Sequence, residues 1–307
     1  MNPEIIELPS ARVPRAVLRP VARIVAANVV RAPASAPART STPSLPGAGE
    51  SRARLSRIAQ YAVLPVSVLA VWTLVSHLQL LPANILPSPL VVLATFRDLL
   101  TGDYGEKLSY HLGVSLWRVA RGAAIGVPLG LLLGLALGFS PTAESWFGPA
   151  FRAFAQIPSI TLIPLLMMFL GIDDRLKLFI MAKSCVIPLT LVTADGIRNI
   201  PTAYLEVGEV FRLRRWTRIR RIVLQGALPS IFTGIRQGIA HVWVSLVAVE
   251  VLASAEGIGY LMTWGRLIFQ LDVVLVCVAV IGAIGLLLDI VMRKVEARLL
   301  VWRGTSQ

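Results

Sequence analysis

Six runs of mainly apolar residues, at roughly 58–80, 113–138, 147–171, 175–195, 228–250 and 273–292, constrain this chain more than anything else in it. Crossing the ~30 Å hydrocarbon core of a bilayer takes about 20 apolar residues in a helix. Within that slab a backbone satisfies its own polar groups only as helix or closed barrel. Composition points the same way. Charged residues make up 15% of the 307, and the mean hydropathy is +0.71, where a soluble domain carries about 25% charged residues. The sequence therefore predicts an all-α membrane protein with six transmembrane helices. Prolines 65, 128, 158, 164 and 188 fall inside the runs. Such prolines are tolerated in membranes, where neighbouring helices re-satisfy the freed carbonyls. The fourth run is the most interrupted, because it also holds Lys183.

Orientation follows from where Lys and Arg lie. Nine arginines precede the first run, from Arg12 to Arg57. Seven more (Arg198, Arg212, Arg214, Arg215, Arg218, Arg220 and Arg221) lie between the fourth and fifth runs, and Arg293, Lys294, Arg298 and Arg303 close the chain. With six spans all three segments share one side, predicted to be the cytoplasm, with both termini inside. The opposite loops, at about 81–112, 172–174 and 251–272, are richer in acids (Asp98, Asp103, Glu106, Asp173, Asp174, Glu256 and Asp272). Residues 1–57 are rich in Ala, Pro and Arg and lack a secretory apolar core. They read as a disordered cytoplasmic tail, within which 13–31 has the pattern of a basic amphipathic helix on a membrane face. The membrane domain is expected over 58–303, followed by a tail at 304–307.

Several function classes find no residues here. Cys185 and Cys277 both sit in apolar runs and read as buried thiols, and His77, His111 and His241 have no metal-ligand spacing. No GxxxxGK[ST] segment supplies a phosphate cradle. No Ser/His/Asp or Cys/His constellation points to a catalytic residue. The chain is expected to be no enzyme, to bind no metal or cofactor, and to have the lipid bilayer rather than nucleic acid as its surroundings.

Two patterns carry more. Gly122, Gly126, Gly130, Gly134 and Gly138 recur every fourth residue in the second run, which sets them on one helix stripe. Small residues on a stripe let another backbone approach closely, so this is a helix-packing face, within the subunit or across a dimer. Residues 196–227 form the other pattern, a basic amphipathic island. Pro201 suits a first helical turn, Glu206 and Glu209 follow early in that helix, and Tyr204, Leu205, Gly208 and Phe211 give it an apolar surface. Arg212–Arg215 break the pattern, which resumes from Trp216 to Leu224. The island reads as helix, break, helix at the cytoplasmic surface.

The island resembles the cytoplasmic loop of binding-protein-dependent ABC importer permeases, which reads Glu-Ala-Ala, three residues, Gly, nine residues, Ile, one residue, Leu-Pro. Glu206 stands at the glutamate, Val207 and Gly208 at the alanines, and Ile222 and Leu224 at the isoleucine and leucine. Arg212 replaces the usual glycine, and Gln225 the usual proline, with Leu228-Pro229 close behind. Further segments are similar to the sulfonate/nitrate/taurine branch: Leu86-Pro-Ser-Pro89, Ser115-Leu-Trp-Arg118, Gln156-Ile-Pro158, Leu228-Pro-Ser-Ile231, Thr233-Gly-Ile-Arg236, Ala248-Val-Glu250, Gly257-Ile-Gly-Tyr260 and Ala297–Arg303. The likeness runs over residues 58–303.

That resemblance implies a type I ABC importer permease fold with a cytoplasmic coupling helix, in a bacterial inner membrane. It implies a second copy of the chain, a separate ATP-binding subunit that holds ATP and Mg, and a periplasmic substrate-binding protein. The cargo would be a small anion such as an aliphatic sulfonate, taurine or nitrate, or another small nutrient of the same family. Tyr204, Leu205, Glu206, Gly208, Phe211 and Arg212 would form the coupling contact, with Glu206 as anchor. Charged residues inside spans are functional candidates because isolated burial is costly. Lys183 would either face an anionic cargo in the path or pair with Asp173 or Asp174. Arg118 and Arg121 would line the mouth. Asp195, Arg236 and Asp289 lie near cytoplasmic ends, and Glu250 near the outer end of its span. The rival class, a secondary transporter, would carry internal repeats with interrupted helices, and the chain shows no repeat.

Overall fold

The computed structural model describes residues 48–82, 85–103 and 107–300, with side chains from Val63 onward except at Val207. The expected tail, its amphipathic stretch 13–31, Glu106 and the C-terminal residues 301–307 fall outside the described residues or, for 48–57, outside the described side chains. The chain divides into two units after Pro65. In the first, the described residues form the start of α1 (Ala48–His77).

The second unit, Val66–Gln307, holds the rest of α1 and nine further described helices. The first two of these are α2 (Pro89–Thr101) and α3 (Leu108–Phe139); α4 (Pro141–Ala155) and α5 (Ile163–Leu170) follow, then α6 (Asp174–Arg198) and α7 (Thr202–Val210). The chain closes with α8 (Arg215–Ala253), α9 (Ile258–Leu267) and α10 (Leu271–Leu299). Among the described residues, α3, α6, α8 and α10 are long and apolar enough to cross a membrane. The bent pair Pro141–Ala155 and Ser159–Leu170 makes a fifth if taken as one span. The expected first span lies in α1, whose described apolar part, Val63–His77, is shorter.

Local chemistry sets the boundaries. Ser140 ends α3 and caps α4: its Oγ accepts from the Ala143 N–H at 3.1 Å, and Pro141 takes the first helical position, where a missing N–H costs nothing. Thus α4 begins six residues before the expected span at 147. That span is also not one helix, since α4 and the Ser159–Leu170 segment are bent by 83°. Pro158 has no N–H to continue the ladder, and the Ile157 N–H turns back to the Phe154 carbonyl at 3.2 Å. A 3₁₀ turn at Ser159–Leu162 then leads into α5.

The core is a three-helix stack with α6 in the middle. Against one side lies the glycine stripe of α3. A Cβ built on Gly122, Gly126, Gly130, Gly134 or Gly138 would come within 2.8, 2.5, 3.0, 2.6 or 2.7 Å of Met181, Cys185, Leu189, Thr193 or Ile197, respectively. Against the other side lies α8, where Gly234 faces Leu189 and Gly238 faces Cys185. Both cysteines are buried and free. Two helices fall in stretches expected to be loops. α2 is tied to α10 by the Thr95 hydroxyl, which donates to Asp272 at 2.6 Å, and Gly265 of α9 backs onto Val273.

Candidate functional site

The island forms α7, a break and the start of α8. Leu205 packs with Ile197, Ile200, Ala227 and Ile231. Gly208 is buried, and a Cβ there would lie 2.7 Å from Ile222 Cδ1. These two positions, three apart on one helix face, fasten α7 to the base of α8. The other side of α7, the break and the start of α8 are open. Tyr204, Phe211 and Trp216 are 61%, 72% and 73% exposed, and Glu206 is exposed and makes no hydrogen bond or ion pair among the described residues. Glu209 instead reaches across the break to Arg218, at 2.9 Å.

Arg212 sits in the left-handed region, at φ 47°. Its N–H bonds to the Glu209 carbonyl at 2.9 Å, and the Leu213 N–H to the Gly208 carbonyl at 3.0 Å. Those two bonds define a Schellman cap, whose left-handed position favours glycine. Arginine thus adopts at the break the conformation for which glycine is suited. A π-turn at Ile219–Val223 follows within α8.

A second site is buried where α3, α8 and α9 meet. Arg118 is 4% exposed, and each of its side-chain nitrogens faces an oxygen. Nε donates to Asp174 at 3.1 Å, and Nη1 to Glu250 and to the Glu256 carbonyl at 3.0 Å. Nη2 lies 3.7 Å from the Glu256 carboxylate. Ser115 Oγ is 2.9 Å from both oxygens of Glu250, which is fully buried. Three of the first N–H groups of α9, unpaired in any isolated helix, are taken by other helices: Gly257 donates to His111 Nδ1 at 3.2 Å, Ile258 to Ser115 Oγ at 3.0 Å, and Gly259 to Glu250 at 3.1 Å. Gly257, at φ 106°, admits no side chain, since a Cβ would lie 2.2 Å from Glu250 Oε1.

Arg118 is therefore committed to this network rather than open at the mouth of a path, being 4% exposed and set against three carboxylates. Arg121 is a third exposed and pairs with Asp174 at 2.5 Å. Neither expected partner of Lys183 reaches it. Asp174 pairs with Arg118, Arg121 and Lys177. The Lys183 ammonium donates instead to the Ile157 carbonyl at 2.7 Å, across the α4–α5 break. Sequence reasoning flagged Arg118 and Glu250 separately and missed His111 and Ser115. The signal was there, because Ser115–Arg118, Ala248–Glu250 and Gly257–Tyr260 are the short segments that build the network.

Residues 126–301 match the model of the family described as binding-protein-dependent transport system inner membrane component. The match covers more than half of the chain, and the chain belongs to that family. Over 248 residues it is 36% identical to SsuC of Escherichia coli (strain K12), covering 81% of this chain and 93% of that one. With SsuC of Bacillus subtilis (strain 168) the identity is 31% over 245 residues, 80% and 88% of the two chains. Both are named as aliphatic sulfonates transport permeases. A taurine transport system permease protein, TauC of Escherichia coli (strain K12), is 30% identical over 259 residues, 82% of this chain and 93% of that one. All three relatives carry the names of transport permeases, not of enzymes.

Proposed function

We propose that this chain is the permease subunit of an ATP-driven importer carrying a small anion of aliphatic sulfonate, taurine or nitrate type across the bacterial cytoplasmic membrane. The observation that carries the reading is the 36% identity, over 93% of its length, to a permease named for aliphatic sulfonates. Two copies line one path, each with six spans and both termini in the cytoplasm. A periplasmic binding protein delivers the cargo, and a separate subunit hydrolyses ATP.

The coupling contact is the open side of α7. Tyr204, Glu206 and Phe211 offer an ATP-binding subunit two aromatic rings and a carboxylate with no partner among the described residues. Leu205 and Gly208 clamp α7 to α8, and the Glu209–Arg218 pair bridges the break. Force applied to α7 then reaches a membrane-length helix through packed contacts rather than through slack chain. Arg118 acts from the interior as a positioning residue, while Lys183 and Arg121 remain for the path.

Glu206→Arg is the test. In the reconstituted complex with its ATP-binding subunit and binding protein, uptake of labelled taurine or an alkanesulfonate falls to background while the variant inserts in the membrane as wild type does. Normal uptake by Glu206→Arg ends the coupling role. Failure of the wild-type chain to co-purify with an ATP-binding subunit ends the importer reading.

A further inference from the structure

The interior cations of the membrane-length helices are not equally compensated. Arg118 faces Asp174, Glu250 and Glu256, and Lys177 faces Asp174 at 3.5 Å. Lys183, 7% exposed and well inside α6, has no carboxylate partner among the described residues. Its neighbours are neutral: the Ile157 carbonyl at 2.7 Å, Ser159 Oγ at 3.4 Å and the Phe154 ring, whose centroid is 5.0 Å away. An ammonium has three donors, so two oxygens, one of them distant, leave it short of acceptors as well as of negative charge. Burying a charge in hydrocarbon without a counter-charge is expensive.

Two hydroxyls complete the setting. Ser184 Oγ lies 2.9 Å from Ser159 Oγ, so an ammonium and two hydroxyls gather at one break in the helical ladder. The two helical segments meet there at 83°. Phe154 is 42% exposed and Ser159 partly so, which leaves the cluster an approach from outside the core.

We propose that Lys183, Ser159 and Ser184 form a subsite for one small, singly charged oxyanion, the head group of a sulfonate or a nitrate ion. The anion supplies the missing unit of charge and takes the free ammonium donor, and Ser159, which accepts from Ser184 at 2.9 Å, donates its one proton to another anion oxygen. That this anion is cargo in transit rests on the transport reading above; that the site binds it does not.

The experiment is thermal unfolding of the full-length chain in detergent, titrated with sodium methanesulfonate and, separately, sodium nitrate. General salt effects act alike on every variant, so the readout is the saturable rise in Tm that wild type has and a variant lacks. Losing a hydrogen bond to a charged group weakens binding by about tenfold or more, and losing one hydroxyl contact by about threefold. Lys183→Met is accordingly expected to lose the saturable rise, Ser184→Ala to shift it to about threefold higher concentration, and Lys183→Arg to keep it. No saturable rise in wild type, or identical curves for wild type and Lys183→Met, overturns the subsite. Should Lys183→Met fail to yield monodisperse protein, Ser184→Ala, which leaves the lysine's bond to Ile157 intact, decides the matter, and an unshifted curve for it counts against the proposal. An uptake assay in the reconstituted complex separates the two readings. Saturable binding with no import of any sulfonate, taurine or nitrate sinks the transport reading alone, and import without binding sinks the subsite alone.

Discussion

At the scale of single residues, the break in the island shows how a substitution can keep a conformation while raising its cost. Arg212 holds φ 47° with both Schellman bonds formed, although a side chain in the left-handed region is disfavoured by about 1–2 kcal/mol. Arg212→Gly is therefore expected to stabilise the turn by about 1 kcal/mol, read as slower amide hydrogen exchange at Leu213; unchanged or faster exchange there would contradict it. The sequence alone identified the position but not its backbone, because the two bonds that hold it come from residues on the preceding helix. The buried ion pair behaves differently. Truncating Arg118 leaves Glu250 charged and buried, at a cost of about 3–5 kcal/mol. Removing both charges, as in Arg118→Met with Glu250→Gln, is expected to recover part of that loss, with a Tm above that of Arg118→Met alone. A double variant less stable than the single would mean that the pair itself is the source of stability.

Among elements, the α3–α6 contact makes the sharpest forecast. A Cβ at Gly126 would sit 2.5 Å from that of Cys185, whereas one at Gly113, on the same helix, meets nothing within 4 Å. Gly126→Ala is expected to destabilise by about 1–3 kcal/mol through overpacking. Gly113→Ala is expected to be neutral or to gain up to about 1 kcal/mol from helix propensity. Equal melting temperatures for the two variants would remove the packing role of the stripe. This contact was half legible beforehand: period four named the stripe, but not which helix it meets, since every apolar helix offers a plausible partner. The α4–α5 break was less legible still. Proline inside a membrane run permits either a kinked span or a sharp turn, and the group that stabilises the turn, Lys183, comes from 26 residues away.

On the scale of the whole molecule, hydropathy located α3, α6, α8 and α10 well because a twenty-residue apolar run leaves a chain little choice. It passed over α2 and α9, which are short and are fixed by partners remote in sequence, such as Thr95 with Asp272 across 177 positions. Hydropathy also could not reveal the three-helix core, where glycines on two helices close around a third. The proposed orientation, which rests on arginine placement, is open to direct measurement. In a background with Cys185 and Cys277 replaced by serine, Thr202→Cys is expected to react with a membrane-impermeant maleimide only in inside-out vesicles, and Ser88→Cys only in right-side-out ones. The reverse pattern would invert the topology and take α7 out of reach of a cytoplasmic ATP-binding subunit.

The glycine stripe has a further consequence. Its partners Met181, Cys185, Leu189, Thr193 and Ile197 share its four-residue period, so sliding α3 along α6 by one repeat, about 6 Å, would bring Gly122 to Cys185, Gly126 to Leu189, Gly130 to Thr193 and Gly134 to Ile197. Packing of this kind is a toothed rail: it chooses the direction of travel and leaves the stopping place open. The stops are polar. Arg118 and Arg121 latch onto Asp174 at one end, Thr190 bonds to the Gly130 carbonyl at 3.1 Å midway, and Arg198 bonds to the Leu137 carbonyl at 3.3 Å at the other end. Closeness and alignment are thus separate properties of this bundle, encoded in different residues, and a variant that loses one need not lose the other.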